Sequence, residues 1–241
     1  MTPVWVADLT DRFWRAVGPP PPFPRDLHDG ATACGLVIVA RPGLTLETVR
    51  GYLSRWLVVA ADVPDRSLRA CLFTHAGRGF VFLDAADPVA ERRFSLAHEL
   101  AHFLRDADAP RRKLTAALGA DAAMVLDGSP PTPDQRLGAV LRGVSLAAHV
   151  HLLNRDAAGR PRSPAEREAE AAADRLAGEL LAPANLFDGQ PAEAIRARLE
   201  GEFGLPPGPA ADYARTLRPP AWRDPLLARL GSVPSPLEGE G

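Results

Sequence analysis

The sequence predicts an α+β fold, mainly helical with a small antiparallel sheet, from three observations. Short apolar or β-branched runs at Leu36–Ala40, Arg69–Thr74 and Phe80–Leu83 have the length of strands. Gly77-Arg78-Gly79 is placed to turn the last two into a hairpin. Two longer segments, one after Asp87-Pro88 and one after Ser163-Pro164, repeat apolar residues at helical spacing.

In chain order, Asp8–Val17 reads as a helix with Phe13 and Trp14 on one side, and Gly18-Pro19-Pro20-Pro21-Pro22 enforces an extended connector. Leu44–Leu57 reads as a helix between the first strand and the hairpin; Phe80–Leu83 is the candidate edge for pairing with an extended segment, although any one residue there reads more readily as part of a plain core strand. Asp87 offers a capping oxygen and Pro88 a residue without the amide hydrogen that a first helical turn cannot use. Beyond them, Phe94, Ala97, Leu100, Ala101 and Leu104 form an apolar stripe. A proline-rich hinge, Ser129–Pro133, leads into a helix over Asp134–Leu153, suited to a lid or a docking surface. Ser163-Pro164-Ala165-Glu166 reads as a capping box opening a helix that runs to about Leu181 and stops before Pro183. Ala192–Phe203 and Ala210–Leu217 read as short helices, and the tail from Gly231 is small, acidic and proline-bearing, as disordered ends are.

Composition narrows the function classes. With 46% apolar and 24% charged residues in 241, the chain is ordinary for a globular protein. Its 28 basic residues against 30 acidic ones supply no field that would drive it onto nucleic acid or an anionic membrane, so direct DNA binding is disfavoured. Cys34 and Cys71, each in an apolar run that reads as a strand, make no disulfide framework. A basic leader followed by an apolar run is not seen and no stretch reaches the length of a membrane span, so a cytoplasmic location is expected.

The chemistry lies in His98-Glu99-Leu100-Ala101-His102. Two imidazoles four residues apart on a helix point the same way and can grip one zinc ion, with the glutamate between them beside the metal. Such a metal polarises a carbonyl and acidifies a water, and the carboxylate takes the proton. On the helix after Ser163, Glu170 and Asp174 lie one turn apart on one face. Glu170 is the expected third ligand, and Asp174 is expected to accept the free ring hydrogen of a ligand histidine. Glu170 also reads as a solvated member of an acidic helix with Glu166, Glu168 and Glu179, a choice that spacing leaves open. His149 and His151 are candidate donors to an oxyanion, although His151 sits on an apolar stripe and reads more readily as a core histidine. Tyr52 and Tyr213 are weaker candidates, and His28 and His75 read as residues of solvated turns.

The first motif through Phe103, together with Glu170-Ala171-Ala172-Ala173-Asp174-Arg175-Leu176-Ala177-Gly178-Glu179-Leu180-Leu181-Ala182-Pro183, resembles the paired signature of the ImmA/IrrE family of zinc metallopeptidases. The agreement at Glu170, Ala173, Asp174, Ala177, Leu180, Leu181 and Pro183 is specific, and the resemblance spans roughly residues 60–217. It implies a zincin-like, gluzincin-type core with one zinc per chain held by His98, His102 and Glu170, and Glu99 as the catalytic base. It also implies an endopeptidase whose protein substrate is a helix-turn-helix repressor, in stress or mobile-element regulation. The domain plan expected is an N-terminal helix and connector over 1–22, a metallopeptidase domain over 23–230 with an inserted helical segment at about 106–162, and a disordered tail over 231–241. Two other readings stay open: a non-catalytic module that sequesters a repressor, and, less favoured, a DNA-binding regulator.

Overall fold

The computed structural model describes residues 2–54, 64–75, 77–119, 123–126, 161 and 163–217. It is a mixed α+β structure, mostly helical, with a three-stranded sheet. Helix α1 (Val4–Val17) begins just after Pro3, a turn earlier than the sequence suggests, and buries Val6, Leu9 and Phe13. Short α2 (His28–Ala33) places His28 at a helix start and Cys34 in the turn after it, so neither the loop expected for the one nor the strand expected for the other is found. Strand β1 (Leu36–Arg41) leads to α3 (Leu46–Leu53), where the Thr45 side chain accepts from the Thr48 amide. The remainder of the expected Leu44–Leu57 helix, past Ser54, lies outside the described residues.

Strands β2 (Ala70–His75) and β3 (Arg78–Asp84) form the expected antiparallel hairpin, turned at Gly77 with φ 74°. The sheet, however, is mixed. The order is β1-β3-β2, with β1 parallel to β3 from Leu36↔Gly79 to Arg41↔Asp84. Phe80–Leu83 is therefore the central strand rather than the free edge, and the outer edge near the motif helix belongs to β2. The physical reason is burial on both faces: Val81 and Leu83 join the main core, while Phe82 joins a second cluster with Leu44, Leu46, Val49, Leu53 and Phe73 under α3. A continuous apolar run is the mark of a strand covered on both sides.

Asp84 ends β3 and fastens the loop before α3. Its carboxylate accepts the amides of Gly43 at 2.9 Å, Leu44 at 3.2 Å and Ala86 at 2.8 Å. These amides, that of Ala86 foremost, hold its pKa below the ordinary value. A carboxyl depressed in the folded state contributes stability above the unfolded value of about 3.9 and loses it as pH falls through the lower folded value. Asp84→Asn should accordingly destabilise the protein at neutral pH, with the gap to wild type closing below about pH 4 in thermal unfolding. A gap independent of pH would refute the assignment.

Helix α4 (Val89–His102) follows, and Pro88 is its first flanking residue with no side-chain cap. The capping role expected of Asp87 is thus not realised, since Asp87 Oδ2 is buried without a hydrogen-bond partner. A π-helical turn (Phe103–Asp108) continues the rod into α5 (Ala109–Leu118), and a single turn, α6 (Ala123–Leu126), comes after it. Helix α7 (Pro164–Leu181) opens with the full capping box: the Glu166 amide donates to Ser163 Oγ at 3.1 Å, and the Ser163 amide donates to the Glu166 carboxylate at 3.0 Å. A 3-10 turn (Ala184–Phe187), α8 (Ala192–Gly201) and α9 (Pro207–Leu217) complete the described chain. Fully buried Ala97 and Ala101 of α4 and Ala173 and Ala177 of α7 share one core, and these small side chains let the two helices pack closely. Val6, Leu9 and Phe13 of α1 belong to that same core.

Candidate metal centre

The α4–α7 contact sets the site. Leu96, Ala97, Leu100 and Ala101 anchor α4 inward, which leaves His98, Glu99 and His102 along the margin where α7 crosses. Glu99 is 9% and His102 5% exposed, so neither is a solvated surface residue. From α7, the Glu170 carboxylate straddles both rings: Oε2 lies 3.4 Å from His98 Nε2 and Oε1 3.5 Å from His102 Nε2. Asp174 Oδ1 lies 2.8 Å from His98 Nδ1, and Asp106 Oδ2 lies 2.9 Å from His102 Nδ1. The two rings are 4.8 Å apart, edge to face.

This arrangement fits a cation. When the rings are neutral and each Nδ1–H donates to its own carboxylate, both Nε2 lone pairs face the negative oxygens of Glu170, and either a proton on the ring or a metal ion between the groups supplies the positive charge this arrangement calls for. One donor atom from each of His98, His102 and Glu170 can be chosen so that all lie within 4.8 Å of one another. Tetrahedral zinc with ligand bonds of about 2.0–2.1 Å places neighbouring ligand atoms about 3.3–3.4 Å apart. The observed separations, 3.4 Å from His98 to one Glu170 oxygen and 3.5 Å from His102 to the other, are of that size. Two imidazoles and one carboxylate leave a position open, the donor set of a catalytic rather than a structural zinc.

The electrostatics point the same way. Burial works against a charged His98 ring, yet hydrogen bonds to Asp174 and Glu170 and the charge of Glu99 outweigh it and push its pKa up to about 10. For His102, burial is again the largest influence and again loses, here to Asp106, Glu170 and Glu99. The surroundings of both rings are built to welcome positive charge.

A cleft of about 650 Å³ opens over these groups. One wall is the Arg66–Leu72 stretch with the start of β2, another is Glu91, Phe94 and Ser95 of α4, and Gly208 and Pro209 bring in the first turn of α9. His98, Glu99, His102, Glu170 and Asp174 all line it. Cys71 also lines the cleft, and neither it nor Cys34 takes part in a disulfide.

Asp106 escapes the sequence reading, which takes it as the start of an insertion. The signal was present, since it lies four residues after His102, the spacing that pairs His98 with His102. His149 and His151, with the hinge and helix around them, lie outside the described residues, as does the tail from Gly231. Tyr213 is 4% exposed, and its hydroxyl lies 3.0 Å from Glu179 Oε2 and 3.2 Å from the Ala182 carbonyl, which occupies it structurally. Tyr52 stacks edge-on against Phe82 in the second core. His75 closes β2, away from the cleft-lining residues.

Residues 56–124 match the family model for the IrrE N-terminal-like domain, Peptidase M78. The matched segment holds β2, β3 and α4 with both histidines, and it ends well before Glu170. No curated protein and no solved structure matches the chain. Among the described residues, no helix is long and apolar enough to cross a membrane.

Proposed function

With the chain assigned to the ImmA/IrrE family on residues 56–124, we propose that it is a zinc-dependent endopeptidase acting on a protein substrate. The observation that carries the reading is the His98, His102 and Glu170 cluster on the floor of a cleft, with Glu99 beside it. These three residues would hold one zinc ion per chain, which when bound polarises a scissile carbonyl and acidifies a water. Glu99 accepts the proton of the attacking water and hands it to the leaving amine. Asp174 and Asp106 keep both Nδ1 hydrogens engaged, so that each ring presents Nε2 to the cleft. The outer edge of β2 offers backbone groups with which an extended substrate segment can pair.

The substrate is proposed to be a helix-turn-helix repressor in the cytoplasm, the class that the family resemblance implies, so that cleavage releases stress or mobile-element genes. The test is to incubate the zinc-loaded protein with a helix-turn-helix repressor encoded beside it and to measure intact masses. Two fragments summing to the repressor plus one water are expected. A chelator should stop their formation and added zinc restore it. A repressor that stays full length while bound to the loaded protein would replace peptide hydrolysis with sequestration.

A further inference from the structure

We propose that Arg105 is a positioning residue that braces the metal cluster by tying the carboxylate behind His102 to the helix that carries Glu170. The inference rests on the zinc reading above and assigns a role to a side chain that touches neither metal nor substrate. Arg105 Nε donates to Asp106 Oδ1 at 2.6 Å, and Asp106 Oδ2 in turn receives His102 Nδ1 at 2.9 Å. The other prong, Nη1, donates to the Ala169 carbonyl at 2.8 Å. Ala169 immediately precedes Glu170, whose Oε1 lies 3.5 Å from His102 Nε2. The contacts therefore close a ring: His102, Asp106, Arg105, the backbone of α7, Glu170 and back to His102.

The ring links the rod that carries His102 to the helix that carries Glu170. The π-helical turn carries both residues, Asp106 against His102 and its neighbour Arg105 reaching across to α7. The planar guanidinium suits this task because it donates in two fixed directions at once. Both carboxylate and guanidinium are largely shielded, with side chains 14% and 24% exposed, so water screens the link poorly. A chelating set works only when its supports hold the donors within about half an ångström of the productive geometry. Arg105 holds both sides of that geometry, the imidazole on α4 and the carboxylate on α7.

The test compares Arg105→Gln with Arg112→Gln. Arg112 makes a similar link two turns on, with Nε 2.6 Å from Asp108 Oδ2, but makes no bond to a donor of the cluster and is 60% exposed. Zinc affinity is read by competition with a chromophoric chelator, geometry by the visible spectrum of the Co2+-loaded protein, and folding by thermal unfolding of the metal-free forms. Arg105→Gln should weaken zinc binding at least about tenfold and alter the Co2+ bands, as loss of an outer support does. Arg112→Gln should leave both at wild-type values. If Arg105→Gln fails to fold, Asp106→Asn, which keeps the shape but removes the negative link, should show the same loss. Equal zinc affinity and identical Co2+ spectra in the Arg105 and Arg112 variants would overturn the proposal while leaving the zinc reading intact. A wild-type protein that takes up no zinc would sink the zinc reading itself, and the brace with it.

Discussion

Glu99→Gln is expected to lower the rate of substrate cleavage about a hundred- to ten-thousand-fold, the usual worth of a positioned general base, while zinc content stays at one per chain. The reasoning separates two roles that adjacent residues play. His98, His102 and Glu170 place donor atoms within one ligand cluster, and Glu99 contributes none to it. Glu99 lines the same cleft at 9% exposure, close enough to both rings to raise their basicity. Glutamine fills the same volume and can still accept and donate hydrogen bonds, but its amide cannot take a proton from water at neutral pH. Metal should therefore remain and turnover should not. Glu170→Gln makes the complementary case, since it removes the only carboxylate in the cluster and should lose zinc as well as activity. Metal analysis and a cleavage assay on the two variants read these outcomes independently. Turnover within a few-fold of wild type in Glu99→Gln would mean that the base lies elsewhere, and loss of zinc from it would move Glu99 into the ligand set.

How much of this could be read from residues alone follows from which interactions are local. The His98–His102 pair is set by the pitch of one helix, and the Ser163 capping box by three residues of backbone, so both are legible in the sequence. The meeting of His98 with Asp174 is not, because 76 residues separate them and periodicity carries no information across a chain reversal. Ligand chemistry made Glu170 and Asp174 candidates while leaving a solvated reading of Glu170 open, and the family resemblance favoured joining the two motifs. Asp106 stands at the i+4 spacing from His102, but taking residue 106 as the start of an insertion set that signal aside. The sheet order was missed for a similar reason. Pairing of β1 with β3 is decided by which strand has apolar residues on both faces, and Phe80–Leu83 carried that signal while being read as an edge. The helix-capping oxygen expected of Asp87 illustrates a different limit, since Asp87 and Pro88 have the right chemistry but Pro88 itself takes the flanking position.

The helix that brings Glu170 and Asp174 to the site is held from behind, and a single methyl added there should cost stability. A Cβ added at Gly178 would stand 2.5–2.7 Å from three ring carbons of Tyr213, closer than real carbon atoms approach. The ring has nowhere easy to go. Its hydroxyl is fixed against the Glu179 carboxylate and the Ala182 carbonyl, and burial together with the Glu179 charge raises its pKa well above the ordinary value, so the phenol stays neutral and keeps its proton to donate. Gly178→Ala must then either break that hydrogen bond or push α9 away from α7. We expect a loss of about 1–3 kcal/mol, as for other overpacked cores, with the melting temperature falling about 2–4 °C for each kcal/mol in a chain of this size. Because α9 also brings Gly208 and Pro209 to the cleft, displacement of the helix should weaken substrate binding as well. A double-mutant cycle with Tyr213→Leu decides whether the ring is the obstacle. With the ring gone, the added methyl should cost little, and Gly has no backbone claim on this position that would resist it, since residue 178 lies inside a regular helix. An undiminished cost in the Tyr213→Leu background would show that something other than the ring sets the close approach of the two helices.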